Sequence, residues 1–139
     1  MKDDRIAILI KKANLEFDKM SNQILAPCDL THTQFKTMMF LYKEPRDTVR
    51  QIDIEKYFSM TNPTVTGILH NLEKKGMVMR AANPRDGRSK VVALTGRAYA
   101  MKEELLGIAD TLEGNMTKNL TLKEQKQLSS LLKKMLEKE

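Results

Sequence analysis

Three features of the 139-residue chain predict a mostly α-helical fold with a small β wing, that is, a winged helix-turn-helix carrying N- and C-terminal dimerisation helices. Two helix-patterned segments are joined by a tight connection, and a turn-rich basic segment follows the second at once. Both chain ends are long amphipathic stretches. The length fits one domain, or one compact core with helical extensions.

Ile6, Leu9, Ile10, Ala13, Phe17, Met20 and Ile24 recur at steps of three and four, one face of a long helix that Pro27 must end. In Thr31-His32-Thr33-Gln34 the Thr hydroxyl can accept from the backbone N–H three residues on while Gln34 reaches back. A second helix therefore starts near His32 and runs through Phe35, Met38, Met39 and Leu41 to about Tyr42, before Pro45. A short helix is expected from about Gln51 to Phe58, with Ile52, Ile54 and Phe58 turned to the core. Ser59-Met60-Thr61 is a tight connection, after which Asn62 as N-cap and Pro63 as first helical residue open another helix. That helix buries Val65, Ile68, Leu69 and Leu72 and stops at Gly76, with Lys74 and Lys75 in its last turn.

Met77 to Ala82 and Lys90 to Leu94 read as strands, and Asn83-Pro84-Arg85-Asp86-Gly87-Arg88-Ser89 between them is dense in turn formers. This hairpin is the wing, and Val49 is placed as a short third strand beside it. From about Thr95 the helical period returns through Tyr99, Leu105, Leu106, Ala109, Leu112 and Met116. A second capping box, Thr121-Leu122-Lys123-Glu124, opens a last helix with Leu128, Leu131, Leu132, Met135 and Leu136 on one face. Little sequence is left to cover the apolar stripes of the terminal helices, so they are expected to pack across a two-fold axis as a homodimer.

The formal charge of +6 is unevenly placed. Residues 41–100 hold 11 basic and 6 acidic side chains, against 6 and 5 in residues 1–40 and 7 and 7 in residues 101–139. Between Lys74 and Arg97, the cations Lys74, Lys75, Arg80, Arg85, Arg88, Lys90 and Arg97 face only Asp86. Such a cluster is either the footprint of a polyanion binder or a solvated face. Double-stranded DNA fits the first reading. The small polar residues Asn62, Thr64 and Thr66 can reach base edges or phosphates from the front of a helix whose apolar face stays buried. In the other reading Asn62 only caps the helix and Thr64 only faces water. Arg88 suits a narrow minor groove, or an intramolecular pair with Asp86, and both can hold at once. Lys74, Lys75, Arg80, Arg85 and Lys90 are phosphate contacts or solvated charges.

Several function classes are not expected. The apolar runs, Ile6 to Ile10 among them, are far shorter than a membrane span of ~20 residues, and the first residues lack a secretory h-region. A single Cys gives no internal disulfide, so a cytoplasmic location is expected. No phosphate-binding Gly loop, paired-carboxylate motif or nucleophile–base arrangement points to catalysis or a cofactor. His32 and His70 fall in different lobes, which argues against a metal site. Asp29 beside Cys28 disfavours the thiolate that a redox sensor needs. His32 is expected at the surface, in a capping turn, with lining of a small-molecule crevice as the other reading. The 10 Met replace Leu in a core or give an adaptable apolar pocket.

Leu30-Thr31 with Gln34-Phe35, Pro63-Thr64-Val65-Thr66, Leu72-Glu73-Lys74-Lys75-Gly76, Arg80, and Arg85-Asp86-Gly87-Arg88 ending in Val92-Ala93-Leu94-Thr95 together form a recognisable pattern. On these residues the chain resembles the multiple-antibiotic-resistance regulator (MarR) family of bacterial and archaeal transcription factors, over essentially its whole length. The resemblance implies a triangular dimer, with residues 1–30 and 98–139 as the dimerisation region and residues 31–97 as a DNA-binding lobe. It also implies a recognition helix beginning at Asn62, a wing Arg88 held by Asp86 in the minor groove, and a crevice for a small-molecule effector whose residues stay unassigned. The sequence departs from the family at Gly67, where many members carry an Arg, and at His70 and Asn71, where Asp and Arg are frequent. Asn83 replaces a common Asp, an exchange expected to loosen the wing tip. The expected DNA-contacting set is Asn62, Pro63, Thr64, Thr66, Gly67, His70, Arg80, Arg85, Asp86, Arg88 and Lys90. The expected function is a ligand-responsive homodimeric repressor reading a pseudo-palindromic operator. The other reading is a protein-interaction module on the same scaffold without DNA binding.

Overall fold

A computed structural model describes residues 5–137, so the outermost ends of the two segments expected to dimerise, residues 1–4 and 138–139, lie outside the described residues. Helix α1 spans Ile6–Leu25 and passes into a 3-10 turn, Ala26–Cys28, where Pro27 is accommodated at the start. Helices α2 (His32–Lys43), α3 (Gln51–Phe58) and α4 (Asn62–Lys74) follow. Strands β1 (Val78–Ala82) and β2 (Lys90–Leu94) pair antiparallel with Val78 opposite Leu94 and Ala82 opposite Lys90. Helices α5 (Gly96–Ala100), α6 (Lys102–Thr117) and α7 (Leu122–Leu136) complete the described chain. None of the described helices is long and apolar enough to cross a membrane.

The local signals that set most boundaries involve residues close in sequence. Thr31 Oγ1 accepts from the Gln34 N–H at 3.2 Å while Gln34 Oε1 accepts from the Thr31 N–H at 3.2 Å. The Thr121–Glu124 box closes in the same way, at 3.1 and 2.9 Å. Helix α3 ends on Ser59 at a left-handed φ of 53°, with the Met60 N–H donating back to the Glu55 carbonyl at 3.0 Å. Helix α4 ends likewise: Gly76 has φ 73° and the Met77 N–H reaches the Leu72 carbonyl at 2.9 Å.

Four expectations about the helices and strands need correction. Thr61, not Asn62, caps α4: its hydroxyl accepts from the Thr64 N–H at 3.4 Å, which makes Asn62 the first helical residue and Pro63 the second. The helix expected from Thr95 is broken at Met101 (φ −90°, ψ −2°), whose N–H turns back to the Ala98 and Tyr99 carbonyls. Val49 forms no strand; its carbonyl accepts one bond from the Val92 N–H at 2.7 Å, a single rung beside β2. Ile52 is 41% exposed, because Ile54 alone on α3 points fully into the core.

Leu25, Met38, Ile54, Val65, Leu69, Leu72 and Leu105 are all 0% exposed and form the centre of the core between α1, α2, α3, α4 and α6. The Tyr42 hydroxyl crosses this layer to donate to the Ala98 carbonyl, and burial, followed by the neighbouring Tyr99, pushes its pKa up to about 12. Lys75 turns inward: its ammonium donates to the Asp29 carbonyl and to Gln34 Oε1, the latter at 2.8 Å. It therefore pins the end of α4 to the α1–α2 turn and is removed from the candidate ligand-facing cations.

His32 is half-buried, contrary to its expected surface position. Its Nδ1 lies 2.8 Å from the Oγ of fully buried Ser21, its Nε2 lies 3.5 Å from Asp18 Oδ1, and Phe17 meets the ring edge-on at 5.3 Å. Burial holds the imidazole below its ordinary value of 6.5, opposed by Asp18 and helped by Lys36. The unfolded chain thus binds the extra proton first, so stability falls as pH drops from about 6.5 through the lower folded value. His32→Gln is expected to flatten the stability curve across that window in denaturant titrations at stepped pH. Parallel curves for the two proteins would show that His32 carries no such linkage.

Candidate nucleic-acid interface

Helix α4 has two unlike sides. Val65, Leu69 and Leu72 are 0% exposed and Ile68 is half-buried. Asn62, Pro63, Thr64, Thr66, Gly67, His70 and Asn71 are all exposed. At 3.6 residues per turn these seven fill one continuous arc of roughly 200°. The structure thus brings six of the expected contact residues onto one accessible surface of a helix anchored by its other side.

Hydrogen bonds decide what this surface can still offer. Asn62 Nδ2 donates to Glu55 Oε2 at 2.9 Å, leaving its Oδ1 free to accept. The Thr64 hydroxyl accepts from Thr61 at 2.9 Å and the Thr66 hydroxyl accepts from Gln51 Nε2 at 2.9 Å, so each keeps its own hydrogen to donate. A side chain added at Gly67 meets nothing: a Cβ there has no neighbour within 4 Å, so no described part of this chain requires glycine.

Gln51 lies outside the set expected from the sequence and is the organiser of this surface. Its amide nitrogen reaches Thr66, Glu55 Oε2 (3.3 Å) and the Asn62 carbonyl (3.5 Å), while its Oε1 accepts from Arg80 Nη2 at 3.0 Å. One side chain therefore ties α3, α4 and β1 together. The sole sequence hint is its i,i+4 spacing to Glu55, which says nothing about Thr66 or Arg80. Arg80 also lies 3.6 Å from Glu73 Oε1, so it is a tethered cation at the edge of α4. At the start of α3, burial alone would raise the Asp53 carboxyl, but the Arg50 backbone N–H and guanidinium outweigh it and hold the group below its usual 3.8.

The wing loop is held by its own side chains. Asn83 Oδ1 accepts from the Arg85 N–H at 3.0 Å and Asn83 Nδ2 donates to Ser89 Oγ at 2.9 Å. Asn83 thus closes the loop base, opposite to the loosening expected, because the amide supplies a donor that a carboxylate lacks. Asp86 Oδ1 accepts from the Arg88 N–H at 3.0 Å and lies 3.9 Å from Arg88 Nε. The Arg88 side chain is 98% exposed, so Asp86 sets its root while the guanidinium projects into solvent. Arg85 and Lys90 are exposed on the same hairpin.

Cys28 stands apart from this surface. Its Sγ donates to Glu104 Oε1 at 3.3 Å, and burial followed by that carboxylate raises the thiol pKa, which keeps it protonated and poorly nucleophilic.

The model of the MarR family matches residues 30–90. The multiple antibiotic resistance protein MarR of Escherichia coli is 33% identical over 129 residues, which cover 92% of this chain and 88% of the relative. The crystal structure of the S. aureus MepR–DNA complex superposes with a TM-score of 0.85 at 31% identity, covering 95% of this chain and 96% of that one. A mutant MarR from E. coli complexed with operator DNA gives a TM-score of 0.84 at 32% identity, covering 95% and 94%.

Glycine inside a helix costs ~0.5–1 kcal/mol relative to alanine. Gly67→Ala, which meets no atom, is expected to raise unfolding stability by about that amount. A denaturant midpoint that stays put or falls would mean that Gly67 answers a local constraint.

Proposed function

The chain belongs to the MarR family, and on that premise we propose that it is a homodimeric DNA-binding transcriptional regulator, a ligand-responsive repressor of genes behind a pseudo-palindromic operator. The observation that carries this is the exposed arc of α4, anchored by three fully buried aliphatic side chains, with the solvent-exposed Arg88 guanidinium on the wing that follows it. In this reading α4 lies in the major groove. Asn62, Thr64 and Thr66 offer an acceptor and two donors, while Pro63, Gly67 and His70 form the rest of the contact surface. Arg88 enters the adjacent minor groove with Asp86 holding its backbone, and Arg80, Arg85 and Lys90 lie toward phosphates.

Dimerisation follows from uncovered apolar surface. Ile6, Leu9 and Ile10 on α1 and Leu128, Leu131 and Leu132 on α7 are all more than a third exposed and line one apolar groove of about 740 Å3. Patches of this kind are association surfaces, and a two-fold axis through residues 1–30 and 98–139 would cover them while setting out two lobes of residues 31–97. A small effector acts by binding one lobe separation better than the other. The protein works in the cytoplasm, and its function is binding rather than catalysis.

The test is an electrophoretic shift on duplex taken from upstream of the chain's own gene. Wild-type affinity should fall steeply with salt, and Arg88→Ala should weaken binding roughly 5- to 150-fold, or ~1–3 kcal/mol. Salt-insensitive binding together with an unaffected Arg88→Ala would favour a protein-interaction module instead.

A further inference from the structure

Beside the wing tip lies a cleft that the α4 surface and Arg88 leave unused. Arg46, Asp47 and Arg50 form one wall and Asn83, Arg85 and Asp86 the other, around an open volume of about 470 Å3. Three arginines line it, and each is held differently. The Arg46 guanidinium lies 4.0 Å from the Tyr99 ring centroid, a stacked position that leaves its N–H edges free. Arg50 donates Nε and Nη2 to the Asp53 carboxylate at 3.4 and 3.1 Å, which fixes the planar group and leaves the rest of its five donors available. The Arg85 side chain has no hydrogen bond or ion pair among the described residues, while its backbone is fixed by Asn83.

The acidic residues offset only part of this charge: Asp53 pairs with Arg50, and Asp47 faces the cleft, while Arg46 and Arg85 have no carboxylate partner among the described residues. Asp86 is directed to Arg88, through a 3.0 Å bond from the backbone N–H and a 3.9 Å approach to Nε. Asp47, in a left-handed turn at φ 60°, is the one cleft carboxylate without such a partner among the described residues. Planar guanidinium groups on two facing walls are the donor set that matches the oxygens of a phosphodiester.

The position of the cleft selects the source of that phosphate. Arg85 and Arg88 stand three residues apart on one short loop, so a groove that receives Arg88 brings its own sugar–phosphate edge alongside Arg85. The B-form minor groove is only ~6 Å wide, within the span of such a loop. We propose that the cleft of Arg46, Arg50 and Arg85 is a second DNA site, seating backbone phosphates that flank the groove entered by the wing. It rests on the DNA-binding function proposed for α4 and the wing, and it adds affinity without adding sequence preference.

The experiment measures affinity for the upstream duplex between roughly 50 and 200 mM salt for the wild-type chain, Arg46→Gln, Arg46→Lys and Arg85→Gln, each checked by thermal melting. Removing one phosphate-binding side chain should lower the slope of log affinity against log salt by about 0.9, and the preference for upstream over scrambled duplex should stay unchanged. Arg85 already lies toward phosphates in the proposed function, so Arg46→Gln carries the cleft test, and Arg46→Lys, which keeps the charge and should restore the slope, separates a lost phosphate contact from lost stacking on Tyr99. A wild-type affinity that does not respond to salt overturns the DNA-binding function itself. A steep wild-type slope shared by Arg46→Gln overturns the cleft alone. Inorganic phosphate at constant ionic strength separates the other source of the same chemistry. If it raises the Tm of wild type but not of Arg46→Gln, while the duplex slopes coincide, the cleft holds a free anion and the proposal falls.

Discussion

The burial of Val65, Leu69 and Leu72 is the constraint that sets everything α4 displays. Burying an aliphatic side chain of this size contributes ~1.5–3 kcal/mol, so the three together fix the rotation of α4 about its own axis far more firmly than any polar contact could. A slip of one residue turns a helix by about 100° and would carry Leu69 out of the core. The residues displayed to solvent are therefore set by the apolar ones that are hidden. Gln51 then adds the finer adjustment, since its one amide holds Thr66 on α4 and Arg80 on β1 in fixed relation.

The charge of the middle segment is less available than its count implies. Lys75 is drawn inward to Asp29 and Gln34, and Arg80 is tethered to Gln51 and Glu73. Of the exposed cations that remain between Lys74 and Arg97, Arg85, Arg88 and Lys90 lie together on the wing, while Lys74 ends α4 and Arg97 sits on α5. A polyanion approaching this lobe meets its accessible cations at the hairpin and its small neutral polar groups along α4. This division suits a surface in which phosphate contacts position and base contacts specify.

Much of the fold is legible in the sequence because its signals are local. Both capping boxes and the Gly76 terminus involve partners within a few residues, and the wing loop is marked by its turn formers. Several of the features that differ from expectation depend on contacts that sequence spacing does not reveal. Thr61 and Asn62 are both competent N-caps, and the choice between them goes with Glu55, seven residues away, which engages the Asn62 side chain instead. The capping position of His32 points to the surface, yet Ser21 and Asp18 from α1 enclose it. Arg80 joins Gln51 across 29 positions, and Lys75 joins Gln34 across 41, so neither tie can be read from a pattern of neighbours. Asn83 misleads for another reason: its value lies in an amide hydrogen that comparison with Asp obscures.

The apolar faces left on α1 and α7 bear on the same surface, since a second copy that covers them also duplicates α4 about a two-fold axis. Two such helices would then grip a single duplex as one clamp. Hydroxyl-radical and methylation-interference footprinting of the protein on its upstream DNA is the decisive measurement. A clamp protects two major-groove patches about one helical turn, ~10 bp, apart on the same face of the duplex. A single patch, or two on opposite faces, would contradict it.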